Sequence, residues 1–146
     1  MPRQRRILIV DPDDTHLTRW KTELGEKFHV TSAQNISDAE ELIAETAGFA
    51  AIAVESFEDA GILQAIPFIH RLRLMFGKPI IGIAAKQEHK QEMILAGCNI
   101  YATRYELPDK IYEALNIYSP IKKKKKHTKV KKSFLNAERK KANQTT

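Results

Sequence analysis

Three carboxylates, Asp11, Asp13 and Asp14, crowd around Pro12 where the apolar run Ile7 to Val10 ends. Oxygen donors so placed can hold a divalent cation, or they can accept the orphan amides of a helix start and favour its dipole. We expect Asp14, with Asp13 beside it, to serve as a helix cap. Asp11 with Asp13 forms the candidate pair for residual Mg²⁺ binding. A further acid, Glu55, closes the apolar run Ala50 to Val54. Sites in open α/β sheets form beyond the carboxyl ends of strands, so both acidic positions stand where a site would be built.

The other reactive groups narrow the chemistry. His16, His29, His70, His89 and His127 have no metal-ligand spacing. No glycine-rich loop follows the first run, which argues against dinucleotide and nucleoside-triphosphate folds, and Asp-Pro-Asp-Asp would repel a flavin phosphate. Cys98 is the single cysteine, so it has no internal disulfide partner; we expect a small packed residue in a reducing compartment. No nucleophile and base stand out as a pair. The expectation is a non-enzymatic protein without a cofactor.

Elements that would position these residues alternate along the chain. Ile7–Val10, Ala50–Val54 and Pro79–Ile83 are continuously apolar, as in strands covered on both faces of a parallel sheet, and His29–Ala33 and Asn99–Arg104 complete five strands. Between them, Leu17, Trp20 and Leu24 mark one face of a helix over Asp14–Leu24. Ser37 and Glu40 form a capping box opening Ser37–Ala47, and Pro67 is expected at the first position of a helix reaching Phe76. Gln87–Ala96 stops at Gly97, and Pro108 opens a last helix to about Tyr118. This order predicts an α/β fold over residues 1–121: one doubly wound, five-stranded parallel sheet between helical layers. No signal peptide or membrane-length apolar run is expected, which makes a cytoplasmic location the default.

The charge is divided unevenly. Residues 122–146 hold eleven Lys and Arg against Glu138, whereas residues 1–121 hold thirteen basic and seventeen acidic residues. A tail so cationic and so poor in apolar residues is expected to be disordered in isolation. Lys122, Lys123, Lys124, Lys125, Lys126, Lys129, Lys131 and Lys132 are its candidate contacts to nucleic acid or another anionic surface. Val130, Phe134 and Ala137 share helical spacing, so a partner surface could order this segment as a helix.

Over residues 5–118 the chain resembles the receiver domain of two-component response regulators, a CheY-like, flavodoxin-like (βα)5 fold. The resemblance rests on Ile-Leu-Ile-Val-Asp at 7–11, Ala-Ala-Ile-Ala-Val-Glu at 50–55, Pro-Ile-Ile-Gly-Ile-Ala-Ala at 79–85 and Gly-Cys-Asn-Ile-Tyr-Ala-Thr-Arg at 97–104. The resemblance implies phosphoryl transfer to an aspartate ending the third strand, aided by Mg²⁺, a hydroxyl and a lysine. Carried over position by position, the acceptor is Glu55, the acidic pair is Asp11 and Pro12 with Asp13 next to it, the hydroxyl position is Ala84 and the lysine position is Arg104. The chain is therefore expected to be a degenerate receiver in which Glu55 and Arg104 form a permanent ion pair. Tyr101 matches the switch aromatic, and its rotamer is expected to follow packing.

The expected function is that of an atypical, stand-alone receiver in phosphorelay signal transduction, an adaptor independent of phosphorylation. It would dock a protein partner through the face of the fourth helix, fifth strand and fifth helix, and a homodimer is compatible with this. The first alternative is a nucleic-acid-binding protein whose tail does the work while the receiver fold acts as scaffold or dimeriser. A third reading keeps the phosphorelay, with Glu55 or Asp59 as a nonstandard acceptor.

Overall fold

The structure is a computed structural model that describes residues 4–116. The tail proposed at residues 122–146, its lysines and the expected end of the last helix near Tyr118 lie outside the described residues.

The elements in chain order are β1 (Arg5–Val10), α1 (Asp14–Leu24), β2 (Phe28–Ala33), α2 (Ile36–Glu45), β3 (Phe49–Glu55), β4 (Glu58–Asp59), β5 (Ile62–Leu63), α3 (Ala65–Met75), β6 (Ile80–Ile83), α4 (Gln87–Ala96), β7 (Ile100–Ala102) and α5 (Leu107–Ala114). Five strands form one parallel sheet in the order β2-β1-β3-β6-β7. The central strands β1, β3 and β6 are buried on both faces, to which successive side chains alternate, whereas the edge strands β2 and β7 are partly exposed. Leu8, Val10, Ile52, Val54 and Ile80 share a core with Ala39 of α2, Phe68, Ile69 and Leu72 of α3, and Met93 of α4. Ile7, Ile9, Ala51, Ala53, Ile81 and Ile83 are equally buried on the opposite side, where Leu17, Trp20 and Leu24 of α1 and Ile111 and Tyr112 of α5 are also buried. Cys98 is buried beside this sheet, and its desolvation, only partly offset by Arg73, pushes the thiol up to about 12.

Local chemistry sets several boundaries differently from the expectation. Asp13, not Asp14, caps α1: its carboxylate accepts from the Thr15 N–H at 2.9 Å, and Asp14 is the first helical residue. The expected Ser37–Glu40 box is replaced by Asn35, which accepts from the Asp38 N–H at 2.7 Å and donates to the Asp38 carboxylate at 3.1 Å. With the helix starting at Ile36, Ser37 lies inside it, and Glu40 pairs with Arg71 at 2.6 Å instead. Helix α3 begins at Ala65, so Pro67 is its third residue rather than its first; there its missing N–H is still one that would lack an intrahelical partner. The last strand is only Ile100–Ala102, which leaves Thr103 and Arg104 in a loop.

A feature absent from the expectation is the small hairpin of β4 and β5. Glu58 pairs with Leu63 and Asp59 with Ile62, antiparallel. Both turn residues have positive φ, Ala60 at 54° and Gly61 at 80°, as a two-residue hairpin with the sheet's own twist requires.

Gly97 ends α4 with φ 136°. A Cβ there would stand 3.1 Å from Arg73 Cβ and 3.3 Å from its Cγ. Gly97→Ala combines that contact with an unfavourable backbone, so it should lower the unfolding free energy by about 1–2 kcal/mol in urea denaturation. An unchanged midpoint would show that the α4 end relaxes freely.

Candidate functional site

Strand register places the site before any side chain is considered. Val10 lies opposite Val54 in parallel pairing, so Asp11, which follows β1, and Glu55, which ends β3, emerge at the same level from adjacent strands. Glu55 is level with Ile83, and Ile83 with Ala102, so Ala84 and Thr103 follow along the same edge. The edge lies where the strand order reverses between β1 and β3, the usual position for a crevice.

Asp11 is fully buried, at 0% exposure, but its carboxylate is satisfied. Oδ1 accepts from the Asp13 N–H at 2.8 Å, and Oδ2 accepts from Arg104 Nε at 3.3 Å. Arg104 also brings Nη2 to 3.5 Å from Glu55 Oε2. One guanidinium therefore spans carboxylates on two strands. Its planar fork permits this, whereas an ammonium is a single point charge. The Glu55–Arg104 pair was expected; the second arm, to Asp11, was not.

Glu55 makes local contacts as well. Its Oε1 accepts from the Phe57 N–H, and its Oε2 accepts from the Ser56 hydroxyl at 3.3 Å. Phe57 has φ 53°, a left-handed conformation uncommon for an aromatic residue, so the carboxylate holds a turn that the residue type does not favour. Beyond it, Glu58 of the hairpin lies 3.5 Å from Lys86 Nζ and 3.9 Å from His89 Nε2, linking the hairpin to the start of α4. His16 Nδ1 stands 3.4 Å from Asp13 Oδ2 and 3.9 Å from Asp11 Oδ1.

Burial pushes the Glu55 carboxyl up from its ordinary value of 4.5; the Phe57 N–H opposes this, the Asp11 charge adds to it, and Arg104 and Ser56 oppose it. The rise prevails despite the ion pair. A carboxyl raised in this way binds its proton more tightly folded than unfolded. Its stabilising contribution is therefore complete below pH 4.5 and is lost as pH rises through the folded value. Glu55→Gln should remove that slope, so the stability profile just above pH 4.5 should be flatter in the variant. Urea denaturation across a pH series measures it, and parallel profiles would contradict the assignment.

Around these groups lies a cavity of about 840 Å³ lined in part by Pro12, Glu55, Ala84 and Arg104. Asp11 is buried against Arg104 and accepts the Asp13 N–H, so the sequence-predicted positions Asp11, Pro12, Asp13, Glu55, Ala84 and Arg104 do come together. Tyr101 does not join them. It lines a separate groove with Lys90, Ile94, Ile100 and Lys110. The ring is 36% exposed, with Lys90 Nζ 4.9 Å from its centroid, so it is less buried than a core residue.

Solved structures with the same fold are numerous. A CheY-like receiver domain protein from Methanospirillum hungatei JF-1 superposes with TM-score 0.66 at 24% identity, covering 78% of this chain and 95% of that one. A two-component response regulator from Clostridium difficile gives 0.67 at 21% identity, covering 77% and 97%. The beryllofluoride-activated NtrC4 receiver domain dimer gives 0.65 at 20% identity, covering 78% and 98%. The fold is that of a response regulator receiver domain. No protein-family model matches the chain. No curated protein sequence matches it.

Within this receiver fold the donors near Asp11 do not fit a divalent cation. Both Asp11 oxygens already have donors, Pro12 offers no side-chain oxygen, and Asp13 is turned to cap α1. Among the described residues no group of three or more His, Cys, Asp or Glu side chains gathers as a metal site. The hairpin and its Glu58 link were missed in the sequence. The signal was the Ala60-Gly61 pair flanked by two-residue pairing segments, too short for a periodic pattern. Among the described residues no helix is long and apolar enough to cross a membrane.

Proposed function

We propose that the chain is a receiver-type signalling protein of phosphorelay systems that works without phosphorylation, as an adaptor for a protein partner. The observation carrying this reading is the Arg104 guanidinium seated between Asp11 and Glu55. It places a protein cation against the two acids where phosphoryl chemistry would need a metal and an acceptor. Glu55 in the acceptor position carries one more methylene than aspartate, displacing its carboxylate by roughly 1.5 Å, and in-line transfer depends on positioning finer than that. Ala84 offers no hydroxyl to a phosphoryl oxygen. Asp59, the other candidate acceptor, lies on the hairpin rather than at the end of β3.

The docking face in this reading is made by α4, β7 and α5 around Tyr101. The groove there is lined by Ile94 and Ile100 together with Lys90, Lys110, Asn99 and Glu106. A homodimer through this face remains within the proposal.

Incubation with acetyl phosphate and Mg²⁺, followed by intact-mass analysis, tests the reading. The expected result is no added phosphoryl mass. Stoichiometric addition at Glu55 or Asp59 would restore a working phosphorelay and overturn it.

The charge division of the sequence supports a second reading, nucleic-acid binding through residues 122–146. The full chain should then bind duplex DNA or single-stranded RNA with affinity falling steeply with salt, and a chain ending at Pro120 should not. Equal binding by both would reject it.

A further inference from the structure

The cavity above the Asp11, Arg104 and Glu55 cluster is larger than those three residues need. Its volume of about 840 Å³ falls within the range of small-molecule sites, about 300–1,000 Å³. The hairpin forms one wall, and Tyr105 lies among the lining residues with the start of α4.

The walls carry both signs of charge, the Asp59 carboxylate of the hairpin among them, and the donors left in them lie on Arg104 and Lys86. Glu55 receives the Phe57 N–H, the Ser56 hydroxyl and Arg104, and Glu58 Oε1 faces Lys86 and His89. Arg104 directs Nε and Nη2 at carboxylates, which leaves Nη1 without a carboxylate partner. Lys86 carries three ammonium donors and makes one 3.5 Å contact, with its side chain 57% exposed. Ala84 and Ala85 present only methyl groups. A ligand that completes such a site supplies acceptor oxygens, and a negative charge makes those hydrogen bonds stronger.

Tyr105 supplies the other half of the recognition. The residue is 83% exposed, and Arg19 Cζ stands 5.9 Å from the ring centroid. An aromatic ring left in water at the rim of a cavity is a platform for a second flat ring.

We infer that this cavity binds a small aromatic anion, its oxyanion set against Lys86 and Arg104 and its ring against Tyr105. The inference goes beyond the adaptor reading and depends on neither the Tyr101 face nor the tail. Carboxylate, sulfonate and phosphate share the required chemistry.

The test uses the full chain and anilinonaphthalenesulfonate as probe, followed by fluorescence and by amide chemical shifts. Saturable one-to-one binding is expected, with shifts at Phe57–Asp59, Lys86 and Thr103–Tyr105. Tyr105→Ala, at an exposed position, should weaken it about fivefold and Lys86→Ala about tenfold. Phenylnaphthylamine, which has the same rings without the sulfonate, should bind at least about tenfold more weakly, and inorganic sulfate should not compete at equal concentration. The proposal is overturned if the shifts lie instead around exposed Leu74 and Leu95 or beyond residue 116. It is also overturned if both variants bind like the parent protein, or if the uncharged probe binds equally well.

Discussion

Arg104→Ala should be the most damaging change at the carboxyl edge of the sheet, lowering the unfolding free energy at pH 7 by about 2 kcal/mol. Removing one partner of a buried ion pair typically costs ~3–5 kcal/mol, because the remaining charge is left without compensation. Here the arginine side chain is 36% exposed, so water and salt already screen part of the interaction and the expectation is reduced accordingly. The variant leaves Asp11, at 0% exposure, and the largely buried Glu55 facing each other with no cation between them. Glu55 is already raised by burial and by Asp11, and losing Arg104 raises it further. The deficit should therefore shrink as pH falls and Glu55 takes up its proton. Arg104→Lys should recover only part of the loss, since a point charge cannot serve both carboxylates equally. Urea denaturation at pH 7 and pH 5 reads both effects. A deficit independent of pH would mean that Arg104 acts through packing of its stem rather than through charge.

Arg73→Ala should cost more, about 3 kcal/mol, and should do so without touching the carboxyl edge. Arg73 Nε and Nη2 donate to the Gly97 carbonyl at 3.1 and 2.9 Å, and Nη1 donates to the carbonyls of Phe76 at 2.7 Å and Lys78 at 3.1 Å. Nη2 also reaches Asn99 Oδ1 at 2.6 Å, and that same oxygen accepts the Ile80 N–H at 2.8 Å. One side chain thus ties the end of α3, the end of α4 and the start of β6. Alanine would leave several acceptors without their charged donor, each worth roughly 1.5–3 kcal/mol when buried and less where water replaces it. A double-mutant cycle with Asn99→Ala should show coupling, because both residues serve one network. Additive losses, or shifted amide signals near Glu55, would contradict this assignment.

Much of this arrangement was legible in the sequence because it rests on short-range rules. Apolar runs without alternation located the strands within a residue or two, and Leu17, Trp20 and Leu24 marked the buried face of α1. The caps were less legible: Asp13 and Asn35 each had competing neighbours, and which of them closes a helix depends on where the preceding strand releases the chain. The Arg104 contact with Asp11 spans 93 residues of sequence, and no local pattern encodes it. Nor did any pattern announce Arg73, whose role depends on three chain segments meeting. Glu55 stood out by ending an apolar run, whereas Ala84 and Arg104 were found as candidates only through the resemblance to receivers. Their meeting at one edge follows from strand register.

The central claim is that Arg104, Asp11 and Glu55 already form a closed set that phosphoryl chemistry does not enter. The most direct measurement is the amide spectrum of the full chain before and after addition of Mg²⁺ with beryllofluoride. The expected result is no change at Asp11, Glu55, Ala84 and Arg104, and none across the Tyr101 face. Saturable shifts at those edge residues, propagating to Tyr101, would show a functional acceptor pocket and contradict it.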